Sequence, residues 1–437
     1  MKRFFSFLLD WPLLPYNLVL LLAAPVVLPL KAWRYFKKGW KREYDMRRWF
    51  VPALTNTQNS ESVHVVIMAT GWGEMRLAAL LDEALKREQP NVRTTWVLRD
   101  GEAAAAAQQQ YPQQSITFLP FDFLIPVLMW LRRVQPDCVV FLEKFWFPNL
   151  VRGCKNWGAT LMVANARTRA HDSARYRLLE PFHRWIAGSF SAFVFQSEED
   201  LKRAGKVLAP NTKTVAPGNL KFALRPAPDE SKTQSLALWL QPDNTPVLAA
   251  GSLEEGDLEF VLQAFQAVRE KAACRLMIAP RRLKHARAMR QQVESLGLSV
   301  SLRSEACGEE ADVYLLDTMG ELATAYQFSQ AAFVGGTLGQ GAGHNVVEPL
   351  VFGVPVSYGF NRGFFESVQK ACEVEGIGFR VQNSQELAAH WVAVLESESL
   401  RKELGENASR LLSKQTAALE GNVGVLVEIL GDEEPRA

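Results

Sequence analysis

The sequence has few cysteines and almost no excess of charge. Its five cysteines are dispersed, and no C-x-x-C pair is present. This pattern argues against a disulfide framework and a structural zinc site, and it favours a reducing compartment. With 49 Lys and Arg against 47 Asp and Glu, the net charge is +2, whereas a dedicated nucleic-acid binder normally carries a large basic excess. The cysteines are Cys138, Cys154, Cys274, Cys307 and Cys372.

Signals for a metal ion or a cofactor are also missing. No Asp-x-Asp motif follows a strand-like run, no His, Asp and Glu residues recur at metal-ligand spacing, and no lysine stands out as a pyridoxal site. We therefore expect an activity that needs neither metal nor cofactor. The composition, 48% hydrophobic and 22% charged among 437 residues, is that of a globular chain with two or three domains.

The N-terminal 1–50 region predicts a membrane-associated segment. Residues 11–30 carry no charge, and twenty residues is about the length of a helix that crosses a ~30 Å hydrocarbon core. Prolines within this stretch would kink such a helix, so an interfacial segment is an open alternative to a spanning one. The cations that follow place the rest of the chain in the cytoplasm. They are Lys31, Arg34, Lys37, Lys38, Lys41, Arg42, Arg47 and Arg48.

After residue 62 the sequence alternates between short apolar runs and helical patterns, which predicts parallel βαβ units and doubly wound sheets. A proline-rich polar stretch, 219–244, interrupts the alternation and indicates a linker. We expect an N-terminal domain over 51–225, a C-terminal domain over 226–437, and a ligand in the cleft between them. The predicted strands are 63–70, 94–98, 137–142, 160–166 and 191–197, then 246–252, 274–280, 311–318, 331–336 and 354–359.

The most specific segment of the second half is a glycine-rich turn. The strand 331–336 runs into five glycines, of which Gly343 is the last, and a helix is expected to begin near His344 and Asn345 and to carry Glu348. Glycines let the backbone approach a ligand, and free N–H groups at a helix start attract anions. The segment therefore indicates a nucleotide site, although a tight turn with packing glycines is the alternative.

Two further residues follow predicted strands directly. Arg281, after Pro280, can hold a phosphate through paired hydrogen bonds, but a solvated basic turn is the commoner role. Glu74, in GWGE, can accept a proton from a hydroxyl, or it can simply favour the dipole of a helix N-terminus. Neither residue decides the function alone.

Taken together, these segments resemble the Kdo transferases, which move 3-deoxy-D-manno-octulosonic acid (Kdo) from CMP-Kdo to a lipid A precursor. The resemblance covers most of the chain after about residue 60, with the motifs in the same order. They are GWGE at 71–74, FWFPNL at 145–150, ANAR at 164–167, RYRLLEP at 175–181, FQSEEDLKR at 195–203, GNLKFA at 218–223, AGSLEEGD at 250–257, APRR at 279–282, DTMGEL at 317–322 and GGTLGQGAGHNVVEPLVFGVPV at 335–356.

The resemblance implies a GT-B architecture of two Rossmann-like domains with a central cleft, and an inverting, metal-independent glycosyltransferase at the cytoplasmic side of the bacterial inner membrane. It assigns the catalytic base to Glu74. It implies CMP-Kdo as donor, and a lipid A precursor or other anionic lipid as acceptor. The implied donor-binding residues are Pro280, Arg281, Gly320, Glu321, Gly343, Asn345 and Glu348, with Ser252, Asn219 and Lys221 as further candidates for the cleft.

The sequence departs from the family pattern at several places. Trp72 stands where a small aliphatic residue is usual, and Leu253 and Glu254 replace Thr and His. A CMP-sugar or nucleotide-sugar transferase with another lipid or polysaccharide acceptor is therefore the alternative function. Basic residues in the 164–184 region could meet an anionic headgroup or form a solvated helix face. They are Arg167, Arg169, Arg175 and Arg177, and His171, Asp172 and His183 are alternative acid–base groups.

Overall fold

A computed structural model shows two compact units, each built on one parallel sheet. The first unit comprises Met1–Ala223 and Thr416–Ala437, and the second comprises Leu224–Gln415. The structure describes residues 10–38, 48, 62–99, 101–144, 146–168, 179–205, 207–210, 212–224, 229–240, 245–305, 310–339, 343–361 and 365–431. Arg169, His171, Asp172, Arg175, Arg177 and Cys307, which the sequence analysis singled out, lie outside these residues.

The sheet of the first unit has seven parallel strands in the order β3-β2-β1-β4-β5-β6-β7. The inner strands are buried along their whole length because helices cover both faces, which explains their continuous apolar runs. The strand order reverses between β1 and β4. The strands are β1 His64–Ala69, β2 Arg93–Leu98, β3 Ser115–Phe118, β4 Cys138–Leu142, β5 Thr160–Ala166, β6 Ala192–Phe195 and β7 Lys213–Val215.

The helices of this unit follow the apolar patterns of the sequence. Helix α4 buries Val127, Trp130 and Leu131 in the core, and its polar side is left to solvent. A 3₁₀ turn at Leu220–Ala223 ends the N-terminal part of the unit. The helices are α1 Leu13–Lys38, α2 Trp72–Glu88, α3 Gly101–Gln110, α4 Leu124–Val134, α5 Pro148–Trp157, α6 Glu180–Ala187 and α7 Glu198–Ala204.

The N-terminal helix α1 is tied to the first unit by polar contacts at its start. Arg152 Nε donates to Asp10 Oδ2 at 3.0 Å, and the Tyr16 hydroxyl donates to Asp122 at 2.8 Å. Leu13 is buried in the core of the unit. Among the helices that the structure describes, none combines the length and apolar character needed to cross a bilayer.

The second unit repeats the plan with seven parallel strands in the order β10-β11-β9-β8-β12-β13-β14. Its order reverses between β8 and β12. The pairing of β8 with β9 shifts between Ala250 and Leu253, which places an irregularity at the end of β8. The strands are β8 Val247–Leu253, β9 Arg275–Pro280, β10 Val300–Leu302, β11 Val313–Leu315, β12 Ala331–Val334, β13 Val356–Tyr358 and β14 Gly378–Arg380.

Helices flank this sheet, and the 3₁₀ turns Glu255–Asp257, Leu283–His285 and Tyr326–Phe328 lie between them. Leu236, Trp239 and Tyr314 belong to one of the core clusters of the unit. The helices are α8 Glu230–Leu240, α9 Leu258–Arg269, α10 Ala286–Ser295, α11 Leu322–Ala325, α12 Val347–Leu350, α13 Glu366–Val374, α14 Ser384–Glu396 and α15 Glu398–Lys414.

The C-terminal helix α16, Ala417–Gly431, belongs to the first unit. The sequence analysis placed it in a C-terminal domain over 226–437, and the structure differs at this point. The helix packs on α2, β5 and β6 of the first unit and buries Leu426 there. The buried Asn422 also accepts a hydrogen bond from the backbone N–H of Asn165 at 3.0 Å. Tertiary packing, which the local pattern does not reveal, decides where this helix belongs.

Candidate active site

Glu74 is the third residue of α2, just beyond the carboxyl end of β1. Its residue surface is only 7% exposed. A Cβ on Gly71 would lie 2.8 Å from Glu74 Oε2, so the carboxylate folds back over the residue that precedes the helix. Gly71 has extended backbone, which any residue can adopt, so a side chain at this position would act mainly by displacing the Glu74 carboxylate.

The surroundings of Glu74 favour its protonated form more than water does. Burial raises the pKa of Glu74, and the nearby Glu143 carboxylate raises it further. The Glu74 backbone N–H, Lys144 and Lys221 act in the opposite direction without cancelling the shift. A buried carboxylate with an elevated pKa is suited to accept a proton near neutral pH.

Glu143 directly follows β4. This strand is the neighbour of β1 in the sheet, and Glu74 lies beyond the carboxyl end of β1. Glu143 has a left-handed backbone with φ of 61°. Its Oε1 lies 2.7 Å from Lys221 Nζ, and both side chains are fully buried. Its second oxygen, Oε2, has no hydrogen-bond partner among the described residues. The structure therefore places a buried ion pair beside the candidate base.

Buried amide side chains surround this ion pair. Asn165 Nδ2 donates to Glu143 Oε1 at 3.4 Å, and Asn165 Oδ1 accepts the backbone N–H of Leu220 at 2.9 Å. Gln196 Oε1 accepts from Asn219 Nδ2 at 3.1 Å. The GNLK segment is thereby fixed beside the carboxyl ends of β4, β5 and β6, and two of the residues predicted for the cleft, Asn219 and Lys221, become interior groups of the first unit.

In the second unit, Asp257 ties together the turns that follow β8 and β12. Its Oδ2 accepts the backbone N–H of Glu254 at 2.9 Å and that of Gly336 at 2.6 Å. Ser252, beside the irregular end of β8, has φ of 55°. Gly336 has φ of 68°, and a Cβ there would lie 2.6 Å from His344 Nε2. Both backbone freedom and lack of space therefore require glycine at this position.

The glycine-rich segment leads into a shorter helix than the sequence predicts. Helix α12 begins at Val347 and not near His344. The Asn345 side chain accepts the Val347 N–H at 3.0 Å in the turn that leads into the helix. Asn345 Nδ2 also donates to Glu348 Oε1 at 3.1 Å. Gly343 has φ of 66°. Asn345 and Glu348 are thus brought together, as a nucleotide site at this turn would require.

Arg281 follows β9 and has an exposed side chain, while its backbone N–H donates to Leu253 O at 2.8 Å. Pro280 before it is buried at the end of the strand. His344 Nε2 lies 3.5 Å from Glu254 Oε1. Burial and the charge of Arg281 lower the pKa of His344, against the effect of Glu254. The replacement at position 254 therefore adds a carboxylate directly at the candidate donor site.

Gly320 and Glu321 follow β11, next to β9 in the sheet. Gly320 has φ of 80°. The Glu321 carboxylate is engaged by Arg303, with Nη2 donating to Oε1 at 2.8 Å, and by the Thr318 hydroxyl. These partners lower the pKa of Glu321. If the Glu321 carboxylate contacts the donor, it must do so while it remains bonded to Arg303. A Cβ on Gly320 would have no atom of the described residues within 4 Å.

Of the basic and acid–base residues predicted in the 164–184 region, Arg167 and His183 lie within the described residues. His183 is buried and stacks on Trp146 with ring centroids 4.2 Å apart, and burial lowers its pKa. Arg167 contributes to lowering the pKa of the buried Lys221. His183 therefore has a packing role in this structure, and the charge of Arg167 acts on the interior of the first unit.

Sequence reasoning missed Glu143, Asn165, Gln196 and Asn422. Glu143 carried a usable signal, since an acidic residue directly after a buried strand is the same pattern that identified Glu74. Asn165 and Gln196 lie within the quoted motifs ANAR and FQSEEDLKR, which gave no role for either, and Asn422 lies in no motif. The role of these amides depends on partners that are distant in the sequence.

Solved structures with similar folds include a glycosyltransferase and an epimerase. A glycosyltransferase from Rickettsia africae aligns with a TM-score of 0.56 and 11% identity, covering 85% of this chain and 100% of that one. The UDP-GlcNAc 2-epimerase from Neisseria meningitidis gives the same TM-score, identity and coverage. These likenesses define the class of protein by fold, and the predicted pair of Rossmann-like units of the GT-B type is confirmed.

Sequence comparison shows similarity to one family of glycosyltransferases. The family description "3-Deoxy-D-manno-octulosonic-acid transferase (kdotransferase)" matches residues 42–224. The Kdo transferase of Haemophilus influenzae is 28% identical over 366 residues, 82% of this chain and 84% of that protein. That of Aquifex aeolicus is 25% identical over 365 residues, 83% and 93% of the two chains. Most of this chain is therefore similar in sequence to Kdo transferases, and the resemblance seen in the sequence is confirmed.

Proposed function

We propose that this protein is an inverting glycosyltransferase that moves Kdo from CMP-Kdo to a lipid A precursor in lipopolysaccharide biosynthesis. The observation that carries the proposal is the buried Glu74 with its raised pKa, at the carboxyl edge of a Rossmann-like sheet in a Kdo transferase relative. The donor-site residues at the carboxyl edge of the second sheet support it.

In the proposed reaction, Glu74 takes the proton of the acceptor hydroxyl while the hydroxyl oxygen attacks the anomeric carbon of Kdo. The bond from that carbon to the CMP phosphate breaks, and CMP leaves from the opposite face with the bonding electrons. Arg281 and the backbone N–H groups near Gly343 would offset the charge on the departing phosphate. The leaving group is already activated, so we expect full activity in EDTA.

Replacing Glu74 by Gln tests the base. The amide cannot accept the proton, so turnover should fall by ~10²–10⁴-fold, while CMP binding by the second unit stays normal. Glu83→Gln is the matched control, because Glu83 is exposed on the same helix. Product formation is measured by mass spectrometry with CMP-Kdo and tetraacylated lipid A precursor. Turnover like that of the wild type in the Glu74→Gln variant would remove Glu74 from the mechanism.

The alternative is transfer from another nucleotide sugar or to another lipid or polysaccharide. The pair of Glu254 with His344 favours it, because the family has His where this chain has Glu254. A panel of donors and acceptors in the same assay separates the two possibilities. Transfer from a different donor with no product from CMP-Kdo would select the alternative.

We also propose that α1 attaches the protein to the cytoplasmic face of the inner membrane. Its polar contacts with Arg152 and Asp122 hold it to the first unit, and its other residues leave apolar side chains exposed. In flotation with vesicles containing anionic phospholipid, Leu18→Asp/Leu22→Asp should reduce binding. Leu238→Asp in the second unit is the control, and equal flotation of all variants would contradict the proposal. The exposed residues are Trp11, Leu14, Leu18, Val19, Leu21 and Leu22.

A further inference from the structure

A charged pair in the interior of the first unit has no role in the reaction proposed above. Glu143 and Lys221 lie 2.7 Å apart with both side chains fully buried. Glu143 follows β4 and Glu74 follows β1, and these adjacent strands are the ones between which the strand order reverses. In doubly wound sheets, this reversal point is where ligands bind.

We propose that the Glu143–Lys221 ion pair is a positioning device that holds the Glu74 carboxylate in place and adjusts its readiness to take a proton. The inference rests on the proposed role of Glu74 as the base. Glu143 and Lys221 themselves act through Glu74 and are assigned no contact with the substrate.

Stability alone does not explain this pair. Removing two charges from water is expensive, and well-packed apolar residues of similar size are often as stabilising as a buried ion pair. Glu143 also has a left-handed backbone, at φ of 61°, which a residue with a Cβ seldom adopts. An arrangement that is costly in both respects is more typical of functional sites than of a packing core.

The surrounding contacts fix the pair in one geometry. Asn219 Oδ1 accepts the backbone N–H of Lys221 at 3.1 Å, and Asn165 Nδ2 donates to Glu143 Oε1 at 3.4 Å. The 3₁₀ turn that carries Lys221 packs on α2, which carries Glu74. The charges of Glu143 and Lys221 are therefore held at defined places relative to the base.

The two members of the pair act on Glu74 in opposite directions. The Glu143 carboxylate raises the pKa of Glu74, and the Lys221 ammonium lowers it. Lys144, also after β4, lowers it as well. The other elements that pack on α2 also carry charged groups among the described residues. On β1 and β2 these groups lie at the amino ends of the strands, away from Glu74, and on α16 they are exposed to solvent. These are His64 on β1, Arg93 on β2, and Glu420 and Glu428 on α16.

The test is the pH dependence of kcat for two neutralising variants. In Glu143→Gln the Lys221 charge is unopposed, so Glu74 loses its proton more readily, and the acidic limb of the profile should move down by about 1 pH unit. In Lys221→Met the Glu143 charge is unopposed, and the limb should move up by a similar amount. A purely structural role would not move the limb in opposite directions.

The double variant Glu143→Gln/Lys221→Met provides the folding control, because it leaves no unpaired buried charge. Its acidic limb should return towards that of the wild type, while kcat stays at least ~10-fold lower because Glu74 has lost its supports. Thermal unfolding and CMP binding report on the integrity of the two units. The double variant alone decides the matter if a single variant fails to fold.

Three results would each overturn the inference. The acidic limb of the kcat profile could stay where it is in both single variants, it could move in the same direction in both, or the double variant could have the kcat of the wild type. Glu74→Gln separates this outcome from failure of the proposed function. If that variant keeps full turnover, the base assignment fails. If it is inactive while the limbs do not move, Glu74 remains the base and only the role of the pair is refuted.

Discussion

At the carboxyl edge of the first sheet, the residues of interest are long, charged and buried, whereas at the same edge of the second sheet they lie on glycine-rich turns. Glu74, Glu143 and Lys221 are all withdrawn from solvent, but Gly336 and Gly343 have left-handed backbone in a turn. Proton transfer benefits from desolvation, which shifts pKa values. Phosphate binding benefits instead from accessible backbone N–H groups. Under the proposed function, the same sheet edge would serve two different kinds of chemistry.

The largest effect on the second edge is expected for Gly336→Ala. The new Cβ would meet His344 Nε2 at 2.6 Å, and φ of 68° is unfavourable for alanine. Left-handed backbone costs ~1–2 kcal/mol and the clash adds to it, so CMP affinity should fall by at least about tenfold. Gly339→Ala is the control, because no atom of the described residues lies within 4 Å of the new Cβ. Calorimetry with CMP measures both, and equal affinities would show that this turn is not part of the donor site.

On the first edge, the corresponding change is Asn422→Ala. It removes the acceptor of the Asn165 N–H and the donor to Ala418 O, both buried. An unsatisfied buried group costs ~1–3 kcal/mol, so the first unit should unfold at lower denaturant, with CMP affinity unchanged. Chemical denaturation followed by calorimetry checks this. Loss of CMP affinity without loss of stability would contradict the separation of the two edges.

Arg281→Ala should have a smaller and complementary effect. If its exposed guanidinium holds the donor phosphate, its removal should weaken CMP binding by about tenfold, the size of one charge-assisted hydrogen bond, with thermal stability unchanged. Arg282→Ala is the control, since Arg282 is the exposed neighbour. Titration with CMP should give a lower affinity for Arg281→Ala than for Arg282→Ala. Equal CMP affinities would show that Arg281 is a solvated turn residue that does not bind the donor.

The smallest expected effect concerns acid stability. Burial lowers the pKa of His390 in the second unit to about 4. In the unfolded chain His390 takes up a proton as the pH falls below about 6.5, whereas in the folded unit it stays neutral until the pH nears 4. The free energy of unfolding therefore decreases as the pH falls from 6.5 towards 4. At pH 5.5 the loss is about 1.4 kcal/mol. His390→Asn should remove this part of the pH dependence, and parallel stability curves for the two proteins would refute it.

The sequence predicted the inner strands well because they are long apolar runs, and it missed the edge strands β3, β7, β10 and β14. These strands are only partly buried, so they lack the continuous apolar pattern by which the inner strands were predicted. The start of the helix at Val347 was predicted too early, because the preceding turn, in which the Asn345 side chain accepts the Val347 N–H, cannot be read from periodicity.

The candidate site was predictable where chemistry follows a strand locally, as for Glu74 and Arg281. It was not predictable where the partners are remote. Asn165 and Asn422 are 257 positions apart, and only the folded chain brings them together. The assignment of α16 to the C-terminal domain differs from the structure for the same reason, because this helix follows the second unit in sequence while its apolar side chains pack in the first.

The return of α16 to the first unit has a consequence for biosynthesis. The second unit is one continuous stretch, Leu224–Gln415, whereas the first needs both ends of the chain. On the ribosome, the second unit can be finished earlier. The amino-terminal sheet lacks the cover of α16 until residues 417–431 have been synthesised. During that interval the apolar surface that α16 later buries is open to binding by a chaperone.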